Sequence, residues 1–249
     1  MWFFLILLFI NTILLQAALS PADTFFKKKN CDSQCIFNKE LSLESISSFP
    51  TNCSRVCTFL SLNEYSGINE SKLTNLFKNV KVLIGGLSVS NTAFTSLKFL
   101  APLEGIECSD DVGINIQNNN EMVDTGLINL KTIDCPTIFI SAGFQMTGLN
   151  VPKLERVYSN TIDEIIFKNN SEELLLDPFL CYGLRNVLSM DNEDAPTFDG
   201  ETCEQVEKSA PERNVTYMDG KSKSATMVNN FHECFDFLVS VVIFVVTQL

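Results

Sequence analysis

Short bursts of alternating apolar residues recur along the middle of the chain. Leu60 and Leu62 are followed by Leu87 and Val89, Ile114 and Ile116, Ile138 and Ile140, and Ile165 and Phe167, at steps of 27, 27, 24 and 27 residues. A second apolar set recurs in similar steps, from Leu103 to Leu130 to Leu154 and from Ile106 to Ile133 to Val157. Alternation over two residues is the signature of a half-buried strand, and its return every 24 to 27 residues is that of a solenoid. One such coil cannot bury its own apolar edge, so coils must stack, each strand hydrogen-bonding to its counterparts above and below. The pattern predicts an all-β fold, a right-handed parallel β-helix of about five coils with short helical or irregular connections. Leucine-rich repeats are the competing solenoid, but they keep a tighter L-x-x-L-x-L frame and a more regular length.

Turn chemistry follows the same period. Asn91, Asn118 and Asn169 fall at equivalent positions just after the strands, with Ala142 interrupting the series. Asparagine suits a turn that asks for a side chain able to bond local backbone or to accept a positive φ. Gly85-Gly86 is not followed by a helix-opening phosphate loop and is expected to permit a tight entry into its strand.

The cysteines add constraints to this register. Cys108 and Cys135 are 27 apart, the step that relates Ile106 to Ile133, so they are expected on matching sites of adjacent coils. Neighbouring strands lie about 4.8 Å apart, within reach of a disulfide, and closing such a loop stabilises by about 3 to 4 kcal/mol in the chain-entropy model. Cys31, Cys35, Cys53 and Cys57 form two C-x3-C units that permit three connectivities. Nested pairing, Cys31 with Cys57 and Cys35 with Cys53, is the simplest. Cys181 and Cys203 then pair by elimination. The ninth cysteine, Cys234, lies near the C-terminus in a segment expected to be removed, which leaves an even number. A metal site would need histidine or free thiolates in a reducing compartment, and none is expected.

Both ends read as targeting segments. The opening "MWFFLILLFINTILLQAALS" has no charged side chain before Asp23 and small residues at Ala17, Ala18, Ser20 and Ala22. Residues 1–22 are therefore expected to be a secretory signal peptide cleaved after Ala18 or Ala22; without a basic n-region, an uncleaved anchor is the alternative. The closing "FLVSVVIFVVTQL" has 13 residues, short of the ~20 a spanning helix needs, and no Lys or Arg follows it. Small residues Ser224-Ala225-Thr226, a spacer and this tail match a glycolipid-anchor signal over 225–249 with Ser224 as the anchored residue; a short membrane segment is the alternative. Between the ends lie a cysteine-containing cap at 23–56, one large domain at 57–205 and a linker at 206–224.

Charge and chemistry narrow the function. Eighteen Lys and Arg against 30 Asp and Glu give a net charge of −12, so nucleic acid is not an expected partner. Lys27, Lys28 and Lys29, the one basic cluster, read as a solvated linker. Sequons at Asn52, Asn69, Asn169 and Asn214 predict a glycosylated exterior. The single histidine, His232, lies in the segment expected to be discarded, so a histidine-based triad has no member. Paired carboxylates at Asp110-Asp111, Glu172-Glu173 and Glu193-Asp194 fall in predicted turns and read as solvated surface rather than a glycosidase pair. No enzymatic activity and no cofactor is expected.

Three stretches carry a family likeness: "CTFLSLNEYSGINESKLTNLFKNVKVLIGGLSVSNTAFTSLKFLAPLEGIE" at 57–107, "INIQNNNEM" at 114–122 and "DPFLCYGL" at 177–184. Through them the chain resembles the receptor L domain, the β-helical ligand-binding module of the insulin and epidermal growth factor receptors, and most of all the stand-alone receptor L-domain proteins of nematodes. The likeness spans about residues 50–205. It implies an extracellular module, at the cell surface or secreted, that binds a polypeptide or another surface protein. The chain lacks the receptors' cysteine-rich region, second L domain and kinase, so a co-receptor or decoy is the form expected. A structural protein of the extracellular matrix or cuticle is the alternative, and a carbohydrate-active β-helix enzyme is a more distant one. The residues expected to point outward, coil by coil, are Ser61, Ser88, Asn115, Phe139 and Ile166. The change to apolar at Phe139 and Ile166 makes these two the candidate partner contacts, unless residues 185 to 205 fold over them.

Overall fold

Each strand in the structure is hydrogen-bonded to its neighbours in parallel, and the registers follow the sequence period. The computed structural model describes residues 20–158, 165–188 and 195–210. Its strands are β1 (Arg55–Asn63), β2 (Val82–Ser90), β3 (Gly105–Cys108), β4 (Ile114–Gln117), β5 (Thr132–Asp134), β6 (Ile138–Ser141), β7 (Arg156–Tyr158), β8 (Ile165–Lys168) and β9 (Thr197–Phe198). Leu60 pairs with Leu87, Leu87 with Ile114, Ile114 with Ile138 and Ile138 with Ile165. Leu62, Val89, Ile116, Ile140, Phe167 and Phe198 form a second ladder one pleat along. Both ladders are buried, so each rung's apolar side chains rest on the rungs above and below. The result is a solenoid-like β fold with a mostly parallel sheet, short helices and disulfides.

Two walls grow from β2. Residues 82–85 of β2 pair with β3, residues 87–90 pair with β4, and beyond these the walls separate into β3-β5-β7 and β4-β6-β8-β9. Gly85 and Gly86 sit at the bend. They stand mid-strand rather than at the expected strand entry, because β1 and β2 run unbroken through a corner that later rungs turn with a loop. A Cβ on Gly85, at φ +135°, would lie 2.3 Å from the carbonyl oxygen of Thr58, so the corner excludes any other residue.

At the far side of the second wall the chain leaves each rung through a left-handed residue. Asn91, Asn118 and Asn169 have φ of 54°, 54° and 53°, Ala142 keeps the same conformation at 52°, and Asp199 does so after β9. The N–H of Asn91, Asn118 and Ala142 each donates to the next rung, to the carbonyls of Gln117, Ser141 and Lys168. The residue that follows turns inward. Asn119 is 1 % exposed; its Oδ1 accepts from the N–H of Thr92 at 2.9 Å and its Nδ2 donates to the carbonyl of Val89 at 2.9 Å. Asn170 does the same for Gly143 and Ile140, each at 3.0 Å. These carboxamides satisfy the backbone groups that a buried turn would otherwise orphan.

Short helices close the ends. Helix α1 (Pro21–Lys28) is capped by Ser20, whose Oγ accepts from the N–H of Asp23, and it buries Phe26 against Cys57 and Ile84 on the outside of β1 and β2. The expected boundary after residue 22 therefore falls within this helix. Lys27–Lys29 form a helix end rather than the linker expected: Lys27 and Lys28 close α1 and stay exposed, Lys28 lying 3.8 Å from Asp110, while Lys29 donates to Glu107 at 3.1 Å. Phe26 and Phe25 anchor the segment, and the lysines reach down the wall. Helix α2 (Glu70–Phe77) packs Leu73, Leu76 and Phe77 into the core after β1. Below the last rungs, α3 (Glu172–Leu175), α4 (Pro178–Val187) and α5 (Cys203–Ser209) contribute Leu174, Leu184 and Val206. A largely apolar cavity of about 50 Å³ remains between the lower rungs and α4. The disulfides join Cys31 to Cys57, Cys35 to Cys53, Cys108 to Cys135 and Cys181 to Cys203.

Ion pairs run along the edges. Glu104 takes hydrogen bonds from Lys131, 2.8 Å away, and from Lys81 at 3.2 Å, and these hold its carboxyl below the usual range. Arg185 on α4 grips Glu204 on α5 with both guanidinium branches, which pulls that carboxyl down to about 2.

Three outcomes test this framework. Asn at position 142 relieves an alanine held at positive φ, so Ala142→Asn should raise stability by about 1 kcal/mol, read from urea unfolding. Asn119→Ala strips partners from a buried N–H and a buried carbonyl and should cost about 3 kcal/mol in the same assay. Glu204 has a folded pKa below its unfolded value of 4.5, so its contribution is complete above that pH and lost as pH falls toward about 2. Glu204→Gln should accordingly flatten the fall of the unfolding temperature between those two values and leave the slope near neutrality unchanged.

Candidate functional site

A parallel strand that buries every second residue must offer the others to the outside. On the wall of β1, β2, β4, β6, β8 and β9 the outward residues align in register as Ser61, Ser88, Asn115, Phe139, Ile166 and Thr197. A second row stands beside it: Asn63, Ser90, Gln117, Ser141 and Lys168. Rungs lie about 4.8 Å apart, so the face is a lattice of side chains with a spacing fixed by the backbone. The register brings Phe139 and Ile166 together as direct cross-strand partners, each half-buried, between Asn115 and Thr197.

The composition of this face differs from that of the chain. Of the eleven residues in the two rows none is a carboxylate and one, Lys168, is an amine, with the exposed Asp199 next to it just past β9 at the lower edge, whereas the chain as a whole carries 30 Asp and Glu. Hydroxyl and carboxamide groups fill the upper rungs and the apolar pair sits lower, so the face offers hydrogen-bonding groups at one end and apolar area at the other. Asn115 adds a carboxamide whose Oδ1 is buried with no hydrogen-bond partner among the described residues.

The neighbouring wall is built differently. Its outward row runs Cys57, Ile84, Glu107, Asp134 and Tyr158. Helix α1 covers the first two, with Phe25 and Phe26 also packed on Phe59 at ring separations of 6.1 and 5.2 Å. Lys29 then engages Glu107 and stands 3.8 Å from Asp134, and Arg55 lies 3.7 Å from Glu107. Charge on that wall is thus consumed within the protein, and its upper part is already occupied.

Residues 185 to 205, the expected cover for Phe139 and Ile166, take other positions where described. Leu184 and Leu188 on and after α4 line the apolar cavity below the rungs, and Thr197–Phe198 extend the wall as β9 beside β8. Thr197 joins the outward row, which the sequence period did not reveal because β9 lies beyond the last regular step. The sequons lie apart from one another. Asn52 is exposed in the turn before β1, Asn69 caps α2 by accepting from the N–H of Lys72 at 3.0 Å, and Asn169 is exposed in the corner after β8. Asn214, Ser224, His232, Glu193, Asp194 and both expected targeting segments up to residue 19 and from 225 lie outside the described residues. Asp110 and Asp111 are exposed in a turn, and Glu172 and Glu173 open α3. Among the described residues there is no group of three or more His, Cys, Asp and Glu side chains placed to hold a metal ion, and no helix long and apolar enough to cross a membrane.

Residues 52–147 match the family model for the receptor L domain. The matched segment begins just before β1 and ends in the turn after β6, so it contains the upper rungs of both walls and Phe139. No curated protein matches the chain.

Proposed function

This chain is a receptor L-domain protein, and from that premise we propose that it binds an extracellular polypeptide, or another surface protein, through the wall of β2, β4, β6 and β8, whose outward rows carry Lys168 and no carboxylate. The family is one of ligand-binding modules rather than enzymes, and four disulfides suit a chain that folds in the secretory pathway. The observation that carries the reading is the pairing of Phe139 with Ile166 on a face without carboxylates in a chain of net charge −12. Large apolar side chains set in a polar surround are the usual anchors of a protein interface. In this reading the chain acts as a co-receptor or decoy. Glycosylation at Asn52, Asn69, Asn169 and Asn214 and a lipid anchor at Ser224 complete the reading. Cleavage of the signal after Ala18 retains Ser20 as the cap of α1 and is preferred on that ground to cleavage after Ala22.

The test is capture. The secreted domain, displayed on beads, is cross-linked to extracellular proteins, and the partner so identified is titrated against wild type and the Phe139→Ser, Ile166→Ser double variant. Loss of two buried apolar anchors should weaken binding at least 30-fold, about 2 kcal/mol, with the unfolding temperature held near that of wild type. Unchanged affinity would sink the assignment of these contacts. Release from intact cells by a phospholipase specific for glycolipid anchors tests Ser224; retention until reductant and detergent are added would instead speak for a matrix protein.

A further inference from the structure

Two adjacent asparagines after β8 have divided roles. Asn170 is 7 % exposed and spends its carboxamide on the backbone of the rung above. Asn169 is exposed, at φ 53°, and its backbone N–H, donating to Asp199 at 2.7 Å, ties it to the last rung. Of the corner residues Asn91, Asn118, Ala142, Asn169 and Asp199, Asn169 alone has a hydroxyl two places on, at Ser171, and so alone forms a sequon. It directly follows Lys168, the last residue of the second outward row, and stands three residues from Ile166, about 10 Å at the rise of a strand.

We infer that an N-linked glycan on Asn169 screens the lower end of this wall and limits the size of partner that can reach Ile166. A glycan is bulky and hydrophilic, and its attachment point here is held by the corner rather than on a free loop. Asn52 and Asn69 lie before β2, toward the other end of the stack, so their glycans do not serve this role. The inference rests on the wall being the contact surface and adds that access to its apolar anchor is regulated by one modification.

The experiment needs no partner. In the secreted protein, Ile166→Cys supplies a thiol on the lower rung and Ser88→Cys one on an upper rung, and each is labelled with a polymer-linked maleimide, its rate normalised to that of a small maleimide. Peptide mass analysis should find the glycan on Asn169. The normalised rate at position 166 should be several-fold below that at 88, and both enzymatic deglycosylation of the folded protein and Asn169→Gly should restore it. Glycine is chosen because it accepts the positive φ; Ser171 is left intact because its Oγ also caps α3. An unmodified Asn169, or equal normalised rates at 166 with and without the glycan, would overturn the inference. Screening observed together with undiminished partner binding by the Phe139→Ser, Ile166→Ser variant would uphold the inference as a statement of access and remove only the assignment of those two contacts.

Discussion

Everything in this fold depends on the demand that each rung satisfy the backbone of the next in the same register. Parallel strands cannot close on themselves with a tight hairpin, so the chain must travel around the whole cross-section before it returns. That journey fixes a nearly constant length per rung and forces chemically similar residues to lie one above another. The aliphatic ladders Leu60 to Ile165 and Leu62 to Phe198 are the direct result. So is the column of left-handed corners, where the carboxamides of Asn119 and Asn170 bond backbone of the rung above. Dispersion, backbone hydrogen bonding and turn chemistry therefore act along one direction, and none can be altered in one rung without being felt in its neighbours.

The same stacking produces the surface proposed for binding as a by-product. A wall whose inward residues are dictated by packing leaves its outward residues to vary, and the two walls have diverged. One is roofed by α1 and neutralised by Lys29 and Arg55; the other keeps an open lattice of hydroxyls, carboxamides and an apolar pair. Recognition on such a surface draws on a spacing set by the main chain, so little ordering is needed when a partner arrives.

Much of this was legible in the sequence because a period of about 27 is visible without knowledge of the structure. The inward ladders, the outward row as far as Ile166 and the special conformation after each strand could all be read from spacing, and Ala142 kept its corner against its own preference because its neighbours dictate the backbone there. What escaped was whatever broke the period or carried two meanings. Gly85 and Gly86 looked like an entry because nothing local shows that one strand serves two walls. Asn119 and Asn170 sit beside the corner asparagines with nothing in the spacing to single them out, and only packing shows that they are buried. Phe25 and Phe26 follow an apolar leader so closely that their role in roofing a wall was hidden, and the lysines after them looked like mere solvated spacing.

The corner between the two walls has one further implication. From inward residue to inward residue it takes four positions in β2, Leu83 to Leu87; later rungs take eight, five and eight, Ile106 to Ile114, Ile133 to Ile138 and Val157 to Ile165. The return from Leu87 to Ile106, Ile114 to Ile133 and Ile138 to Val157 takes 19 positions each time, so in these rungs length variation is absorbed at this bend; the first circuit, Leu60 to Leu83, takes 23 because it also carries α2. The bend is where evolution could lengthen the chain at small cost, and where a foreign loop could be grafted without disturbing either neighbouring surface.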